Sequence, residues 1–593
     1  MKTTLRIHLF LTLLVFGSPA HAQELPVEER LKGIDETINA VLKKWNVPGA
    51  GVGVVVKDKL VWSKGYGYRD IENNLPITGQ TQFQIASNTK LFTATGIGLL
   101  VEKGLLDWDK PIRDYCQQVQ FYNDDLNKNV TIRDMLSHRT GLSRHDFIWL
   151  GADFTRQEIF ERIKYLEPSR PLRQGYLYNN LMYITAGRVI ELLTQQTWED
   201  YTRENFFTPL KMSQSTFFTE EMQKQGNYMK SYYEKLEGAT LVPYPMYTKN
   251  TALGPAGSII STINDMSHWL IAHMNGGVYE NSTVIPPSII RETMTPATID
   301  SSVPDANYES LNSIYGMGRR TMSYKGHYRT EHGGAIGGIY SLVSFMPTDS
   351  LGVIVFTNGE HASVLPVVIG NIFYDKLLEL EPTPWSDRIH EGYAKRRETN
   401  RQNRKKPDAD RIANTKPSHP IAQYAGFYES PAYGVMEIKE AKGQLSFNYH
   451  TVDLPLNHYH YDRFVSANDE VWGRWNFEFN TDSQGLIQAV TINLDERDVV
   501  FTRTFDKRLT DPKFLTKLTG SYTSSSGQIT IDLEKTRLLI RSSLPQYLAP
   551  YKNTQFRLES HSDQTIEFIL DDKGNPSKLV RIEDGKATEY TRK

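Results

Sequence analysis

The chain has 593 residues, which is more than one hydrophobic core usually supports, so we expect two or three domains. Its 39% hydrophobic and 23% charged residues exclude a largely disordered chain, and it lacks the long apolar run of a membrane span. The formal net charge of -2 gives no electrostatic reason to expect nucleic acid or an anionic membrane as a partner.

The first 22 residues predict a secretory signal peptide. Lys2 and Arg6 precede an apolar stretch from Ile7 to Phe16, and Ala20-His21-Ala22 fits a cleavage site. A buried N-terminal helix is the alternative, but the apolar stretch is too short to span a bilayer. Cys116 is the only cysteine, so no intramolecular disulfide can form. We therefore expect a bacterial protein that is exported to the periplasm or secreted.

The residues after the signal predict a sheet flanked by helices over residues 23–381. Apolar residues at helical spacing predict an amphipathic helix over 27–45, and a helical run lies at 365–380. β-Branched and apolar runs predict strands near both ends of this region, at 51–56, 60–67, 340–345 and 351–357. Strands at both ends with mainly helical sequence between them indicate one antiparallel sheet that is interrupted by a large helical insertion.

Residues 382–420 predict a linker that is partly helical. The composition changes there to prolines and to basic residues, at 395–397 and 401–406. A patch that binds nucleic acid or an anionic surface is the alternative, but exposed charge runs are usually solvated.

Two β-rich segments, 421–505 and 512–593, have the pattern of a tandem duplication. Matching residues recur at an offset of 89 to 94 positions: Gly426 with Gly520, Tyr428 with Tyr522, Phe479 with Phe568, Gly485 with Gly574, and Phe501 with Tyr590. Two copies are too few for a solenoid, so we expect two small barrel-like or meander domains.

Ser87 and Lys90 form the candidate nucleophilic pair. They open a predicted helix, and residues three apart lie on the same helical face, so the two side chains can touch. A serine hydroxyl needs a base to take its proton, and the helix N-terminus places partial positive charge where an oxyanion forms. The spacing alone is weak evidence, because Ser-x-x-Lys occurs by chance about once or twice in a chain of this length.

Two further motifs follow in the order of a known superfamily. Tyr178-Asn179-Asn180 precedes an amphipathic helical run, and His332-Gly333-Gly334 precedes the strands near residue 340. With the Ser87 motif, these resemble the Ser-x-x-Lys, Tyr-x-Asn and Lys/His-x-Gly elements of the class C β-lactamase and serine D,D-peptidase superfamily, which is like peptidase family S12. Residues 131–142 and 254–266 also resemble conserved segments of that superfamily.

The resemblance implies a fold of the α/β (α+β) class. The catalytic domain would be β-lactamase/transpeptidase-like, with an antiparallel sheet, flanking helices and a helical subdomain, followed by two small all-β barrel-like domains. The β repeats resemble the lipocalin-like domains behind some D-aminopeptidase-like relatives. They would then cover or shape the active-site cleft, mediate oligomer contacts, or be merely attached modules.

The resemblance also implies a role for each motif residue. Ser87 would be acylated, while Lys90 and Tyr178 share the general-base and general-acid work. The phenol of Tyr178 would need a pKa lowered by adjacent positive charge, which Lys90 could provide. Asn180 would hydrogen-bond the amide of the substrate, and the backbone N–H groups of Ser87 and Ala335 would form the oxyanion hole.

His332 is the departure from most true β-lactamases of this type, which have lysine there. It would make the substrate-facing edge formed with Gly333 and Gly334 cationic only at lower pH. In this respect the chain resembles the D-aminopeptidase, D,D-carboxypeptidase and esterase-like branches more closely.

Other candidate residues have simpler explanations. We expect His138 to be structural, and we assign Tyr551-Lys552-Asn553 and His390-Glu391-Gly392 to chance matches outside the catalytic region. His458 and His460 alternate on a predicted strand, but no third ligand follows at a recognisable spacing. We therefore predict no metal and no cofactor.

These observations predict a serine hydrolase that forms an acyl-enzyme on Ser87. It would cleave amide or ester bonds of short or D-amino-acid-containing peptides. The alternatives are a β-lactamase or carboxylesterase with the same machinery, and a catalytically silent penicillin-binding or scaffold protein. The expected partner is a small-molecule or peptide substrate, with no nucleic acid and no integral membrane segment after signal removal; the sequence does not predict the oligomeric state.

Overall fold

A computed structural model describes residues 25–246, 252–301, 309–405, 408–494, 497–571 and 573–593. The predicted signal peptide, residues 1–22, lies outside these residues. Within them, no helix combines the length and the apolar character that crossing a bilayer requires.

The α-helices of the described residues lie mainly in the first two thirds of the chain. In chain order they are α1 (Val27–Arg30), α2 (Ile34–Trp45), α3 (Thr89–Glu102), α4 (Asp124–Asn129), α5 (Ile132–Leu136), α6 (Arg156–Arg162), α7 (Asn180–Thr194), α8 (Trp198–Thr202), α9 (Thr219–Gln225), α10 (Gly254–Gly257), α11 (Ile263–Met274), α12 (Pro287–Met294), α13 (Leu365–Leu377), α14 (Trp385–Lys405) and α15 (Pro512–Leu518).

The strands of the first domain are β1 (Gly49–Val56), β2 (Lys59–Asp70), β3 (Leu75–Pro76), β4 (Phe83–Gln84), β5 (Tyr232–Glu234), β6 (Leu241–Pro243), β7 (Ile260–Ser261), β8 (Val278–Tyr279), β9 (Ser282–Thr283), β10 (Thr298–Ser301), β11 (Ser310–Tyr315), β12 (Arg320–Tyr324), β13 (His327–Ile336), β14 (Ile339–Met346) and β15 (Leu351–Thr357). Nine of them form one sheet in the order β10-β11-β12-β13-β14-β15-β1-β2-β3. Neighbouring strands in this sheet are antiparallel, so the predicted fold class is confirmed.

The first and last strands of this domain meet in the middle of the sheet. β1 pairs with β15, with Val52 opposite Val355, and almost every residue of both strands is buried. Helices α2 and α13 pack on one face of the pair, and α11 packs on the other. The glycines of β1 have a packing reason, because a Cβ on Gly53 would lie 2.5 Å from Ile263 Cγ2 of α11. Helix and sheet therefore approach closely behind the functional region.

The remaining strands form two closed eight-stranded barrels, and each chain segment runs up and down its barrel in sequence order. The first barrel, barrel 1, contains β16 (Gly426–Ser430), β17 (Gly434–Ala441), β18 (Gln444–Tyr449), β19 (Val452–His460), β20 (Arg463–Ser466), β21 (Asn476–Thr481), β22 (Ile487–Leu494) and β23 (Arg497–Thr504). The second, barrel 2, contains β24 (Gly520–Ser524), β25 (Gly527–Glu534), β26 (Arg537–Ile540), β27 (Gln546–Pro550), β28 (Gln555–Leu558), β29 (His561–Leu570), β30 (Pro576–Glu583) and β31 (Lys586–Arg592).

The residues that suggested a duplication occupy equivalent places in the two barrels. Tyr428 donates a hydrogen bond to the carbonyl of Tyr424 at 2.8 Å, and Tyr522 donates one to the carbonyl of Leu518 at 2.9 Å. In each barrel, the tyrosine hydroxyl is thus hydrogen-bonded to the backbone carbonyl of the residue four positions earlier. The expectation of two barrel-like domains is confirmed by this architecture.

Two local expectations differ from the structure. The helix predicted over 27–45 is divided into α1 and α2, because Gly33 adopts a left-handed conformation with φ of 76°. The predicted linker is partly helical, as expected, but its helix α14 packs on the first domain. Its Trp385 is buried, and Arg397 forms an ion pair with Glu234 at 2.9 Å.

Candidate active site

Ser87 lies in a tight 3₁₀ turn that runs directly into α3. The preceding residue, Ala86, has φ of 49°, a left-handed conformation that is uncommon for a residue with a side chain. Asn88 donates a hydrogen bond to Ser341 Oγ at 2.8 Å, and Ser341 donates one to the carbonyl of Ile85 at 2.9 Å. These two hydrogen bonds through Ser341 therefore hold the turn that presents Ser87 against β14.

Gly334 allows this turn to approach the sheet. A Cβ on Gly334 would lie 2.4 Å from the carbonyl oxygen of Ile85 and 2.3 Å from Ser341 Oγ. A Cβ on Gly333 would meet only a carbonyl oxygen at 3.7 Å, an ordinary contact. Of the two glycines in the third motif, Gly334 is thus the one required by packing. Ala335 follows on β13 with its side chain exposed.

Lys90 has three oxygen atoms around its amine. Nζ lies 2.7 Å from Asn180 Oδ1, 2.8 Å from the carbonyl oxygen of Ala256 and 3.1 Å from Ser87 Oγ. An ammonium donates to all three. A neutral amine donates two N–H bonds to Asn180 and Ala256, and its lone pair then faces the hydroxyl of Ser87.

The surroundings of Lys90 favour the neutral amine. The side chain is fully buried, and burial lowers the pKa of Lys90 well below its ordinary value of 10.5. The positive charge of Arg144 lowers this pKa further, while the negative charge of Asp146 opposes the change. Lys90 is consequently placed and tuned to accept a proton from Ser87.

Tyr178 is on the other side of the nucleophile. Its hydroxyl donates a hydrogen bond to Ser87 Oγ at 2.8 Å. Burial raises the pKa of Tyr178 to about 12, although Ser87 and the charges of Arg144 and Arg320 lower it in part. The expectation that Lys90 would depress this pKa is therefore wrong for the free enzyme. Lys90 is not among the groups that lower this pKa, and with a pKa of about 12 the phenol is a proton donor at neutral pH.

Asn180 connects the catalytic lysine to a loop that the sequence motifs do not include. Its Oδ1 accepts from Lys90, and its Nδ2 donates to Asp146 Oδ1 at 2.9 Å. Arg144 pairs with the same carboxylate at 2.6 Å and lies 5.2 Å from the centre of the Tyr178 ring. In this structure Asn180 therefore orients Lys90.

The surroundings of His332 differ from those that the sequence predicted. It is buried, and burial together with the charge of Arg320 lowers its pKa well below 6.5. Its Nδ1 lies 2.5 Å from the carbonyl oxygen of Gly333, and its Nε2 lies 2.9 Å from the hydroxyl of Tyr315. The prediction of a cationic edge at lower pH is thus wrong, because the imidazole is enclosed and both nitrogens are engaged.

His138 belongs to the same buried layer. Its Nδ1 accepts from the backbone N–H of Asn179 at 3.1 Å, so Nε2 carries the proton and donates to Tyr315 at 3.3 Å. Tyr315 can then donate to His332 Nε2, which leaves the His332 proton on Nδ1 for the Gly333 carbonyl. These contacts give His138 and Tyr315 a structural function behind Tyr178, as expected for His138.

Sequence reasoning missed Arg144, Asp146, Tyr315 and the carbonyl of Ala256. The only sequence signal for the first two is that they directly follow the segment 131–142, which resembles the superfamily. The chance matches near Tyr551 and His390 lie far along the chain, in barrel 2 and on α14.

The histidine pair considered as metal ligands makes other contacts. His458 lies 2.9 Å from the carbonyl oxygen of Tyr461, and His460 accepts from the backbone N–H of Ile412 at 3.3 Å. A bulge between the two breaks the alternation that would place them on one face. Across the described ranges, no three His, Cys, Asp or Glu side chains are grouped to hold a metal ion.

Barrel 1 packs on both residues that flank Asp146. His145 Nδ1 lies 2.7 Å from the hydroxyl of Tyr433, and Tyr449 donates a hydrogen bond to the carbonyl of Phe147 at 2.9 Å. The ring of Phe147 also contacts Trp475, with centroids 4.9 Å apart. We call residues 143–154 the clamp loop, because barrel 1 holds it against the active site.

Two family models match successive parts of this chain. A family described as Beta-lactamase matches residues 34–368, and a domain of unknown function (DUF3471) matches residues 410–503, the region of barrel 1. The unguisins hydrolase ungD' of Aspergillus campestris (strain IBT 28561) is 28% identical over 422 residues, which cover 68% of this chain and 76% of that protein. Protein flp of Staphylococcus aureus (strain MW2) is 25% identical over 338 residues, 55% of this chain and 62% of that protein.

A solved structure shows a similar fold. The octameric penicillin-binding protein homologue from Pyrococcus abyssi has a TM-score of 0.52 at 20% identity, and the match covers 81% of this chain and 100% of that chain.

Proposed function

This chain belongs to the Beta-lactamase family and is a serine hydrolase, and from that premise we propose that it cleaves amide bonds of short or D-amino-acid-containing peptides through an acyl-enzyme on Ser87. One observation carries the proposal. Ser87 Oγ lies between a base and an acid, 3.1 Å from Lys90 Nζ and 2.8 Å from the hydroxyl of Tyr178.

Acylation begins with the transfer of the Ser87 proton to the neutral amine of Lys90. The Oγ attacks the carbonyl carbon of the substrate, a C–O bond forms, and the carbonyl electron pair becomes the oxyanion. We assign the backbone N–H groups of Ser87 and Ala335 to that oxyanion. This step uses the two functions that burial provides, an unprotonated amine and a protonated phenol.

Collapse of the intermediate breaks the C–N bond. Tyr178 donates its proton to the leaving amine, and the proton on Lys90 restores the phenol. Water then attacks the acyl-enzyme through the same steps in reverse, with the proton returning to Ser87 Oγ as the acid leaves. Asn180 and Ala256 hold the amine of Lys90 throughout, so its lone pair stays directed at Oγ.

Two observations bear on the substrate class. The fungal relative at 28% identity is named a hydrolase of unguisins, which supports a hydrolytic activity. The third motif also offers no lysine, and the neutral, buried His332 supplies no charge for the carboxylate of a β-lactam.

β-Lactam hydrolysis is the second candidate, and Arg144 is the observation in its favour. This exposed guanidinium lies over the ring of Tyr178 and could bind a substrate carboxylate. A terminal carboxylate of a peptide would use the same residue, so substrate turnover must distinguish the two.

A fluorophosphonate probe followed by mass spectrometry tests the nucleophile. We expect one adduct on Ser87 in the wild type and none in Ser87→Ala. Turnover of matched D- and L-amino acid amides, D-Ala-D-Ala peptides, short esters and nitrocefin then tests the substrate class. Absence of the adduct would support the silent scaffold, and nitrocefin turnover faster than every peptide would favour a β-lactamase.

A further inference from the structure

A small cavity lies behind the active site, between the main sheet and the helices α3 and α11. Its volume is about 20 Å³, and its lining includes Asn88, Leu91, His273, Arg319 and the stretch from Thr330 through Glu331 to His332. Asn88 and Leu91 directly follow Ser87 and Lys90 along the chain. The cavity therefore shares a wall with the catalytic residues but is separate from the nucleophile.

Arg319 is the unusual residue of this cavity. Its side chain is almost completely buried, with the residue 1% exposed. One nitrogen, Nη2, donates to His273 Nδ1 at 2.8 Å, while Nε and Nη1 form no hydrogen bond with the protein. Within the described ranges no carboxylate forms an ion pair with this guanidinium, which lies 5.6 Å from the centre of the Phe345 ring.

Other donors line the same space. His273 accepts from Arg319 on Nδ1, so its own proton lies on Nε2, and that atom also has no hydrogen-bond partner. The hydroxyl of Thr330 is buried and unpartnered as well. Four buried and unsatisfied nitrogen or oxygen atoms thus belong to three side chains that line the cavity.

The one carboxylate residue in the cavity lining, Glu331, is already engaged by another cation. It lies between Thr330 and His332 on β13, and in the alternation of the strand its side chain belongs to the face of Arg329. Glu331 forms its ion pair with Arg329 at 2.5 Å, and Arg329 donates to Asn371 of α13. Arg319 therefore receives no compensation from Glu331.

A buried guanidinium without a counter-charge is costly. Arginine does not lose its proton in proteins, and the cost of burying an isolated ion is several kcal/mol after relaxation. Unsatisfied buried donors add to that cost. A negative charge within the cavity would compensate the buried guanidinium and would also accept hydrogen bonds from the unsatisfied donors of Arg319, His273 and Thr330.

We propose that this cavity is a binding site for one monatomic anion, a halide such as chloride. The volume of the cavity limits the size of the anion that it can hold. Roughly 10–15 Å³ is enough for one water molecule. A cavity of 20 Å³ therefore accommodates a small ion and excludes phosphate, sulfate or a carboxylate. The ion would join α3, α11 and β13 behind the nucleophile, and its binding would stabilise the native state.

Bromide is the probe for a direct test. Crystals of the full-length chain soaked in bromide should show an anomalous peak in the cavity, within about 3.5 Å of Arg319 Nη1 or Nε. Thermal melting in chloride and in gluconate, at equal ionic strength, tests the site in solution. Chloride should raise the Tm by about 3 °C or more, because an ion that binds only the native state stabilises it, whereas gluconate is too large to enter.

Arg319→Met removes the charge and keeps the length of the side chain. This variant should lose the difference between chloride and gluconate, and it should be at least as stable as the wild type without halide, because an apolar residue avoids the buried charge. Arg291→Met, which changes an exposed arginine of α12, should keep the wild-type difference. A cavity without bromide density, or a chloride effect that is equal in wild type and Arg319→Met, would overturn the proposal; the crystal test does not depend on the variant folding.

Discussion

Barrel 1 and barrel 2 share one architecture but differ in their relation to the catalytic domain. Both are closed and eight-stranded, and both use a tyrosine to hold the residue four positions earlier. The buried apolar residues of barrel 1 form one continuous cluster with the helical layer of the catalytic domain, whereas barrel 2 has a separate core. The segment between the barrels contacts both of them: Lys507 pairs with Glu429 of barrel 1 at 2.6 Å, and the backbone N–H of Asp506 donates to the carbonyl of Asn553 in barrel 2 at 2.7 Å.

The difference teaches that two barrels of the same architecture can differ in how their cores relate to the catalytic domain. Tyr433, Tyr449 and Trp475 of barrel 1 hold the clamp loop, which carries the carboxylate that binds Asn180. We therefore regard barrel 1 as part of the catalytic unit and barrel 2 as an attached domain.

Truncation should reveal the largest difference between the two barrels. Removal of residues 506–593 should leave the rate of fluorophosphonate labelling within about twofold of wild type, because barrel 2 has its own core. Removal of residues 408–593 should reduce labelling to below about 1%, because the clamp loop loses its support and small misplacements cost on the order of 100-fold in rate. Circular dichroism and melting controls are needed for both proteins, and equal labelling by the two would contradict the division.

A matched pair of core substitutions should show the same division in stability. Phe479 and Phe568 pack against Tyr428 and Tyr522 in equivalent places, with ring centroids 6.0 and 5.7 Å apart. Replacement of either by alanine should destabilise its own barrel by about 3–5 kcal/mol. In a urea titration, activity should be lost at lower urea in Phe479→Ala than in wild type. Phe568→Ala should keep the wild-type activity curve, and parallel loss in both would refute the separation.

The clamp loop should also set the pH at which the enzyme becomes active. The base is neutral Lys90, so the acylation rate falls as the pH drops through the pKa of Lys90. Arg144→Gln removes a charge that lowers this pKa, so the fall should begin at higher pH, by roughly half to one pH unit.

Asp146→Asn should move the acid limb in the opposite direction, because Asp146 raises the pKa of Lys90. The amide oxygen still accepts the hydrogen bond from Asn180. No decline is expected on the basic side below about pH 10, since Tyr178 has a pKa of about 12. Stopped-flow acylation measured across pH provides the check, and shifts of the same sign in both variants would be inconsistent with it.

The smallest effect is expected from single hydroxyl groups at the barrel contact. Tyr433→Phe and Tyr449→Phe each remove a hydrogen bond to the clamp loop, worth about 0.5–1.5 kcal/mol, so kcat/KM should fall roughly two- to tenfold. Tyr551→Phe in barrel 2 is the control and should keep the wild-type value. If the barrel 1 variants also match the wild type, the contact does not act on catalysis.

Much of this molecule could be predicted because the relevant patterns are local. The spacing of Ser87 and Lys90 on one helix, the strands of alternating or apolar residues, and the repeated glycines and tyrosines of the barrels are all visible over a few residues. Arg144 and Asp146 could not be predicted in the same way. They lie in an irregular loop, and their importance depends on Asn180 and on a barrel that begins nearly 300 residues later in the sequence.

The sequence by itself determined the chemical groups, their order and the class of each domain, since these depend on residue types and short periodicities. Only the tertiary structure showed in which direction the pKa values of Lys90, Tyr178 and His332 are shifted, because burial and the charges of distant residues cause these shifts. It also decided which of two similar barrels supports the active site, because that depends on where the buried Tyr433, Tyr449 and Trp475 of barrel 1 meet the clamp loop.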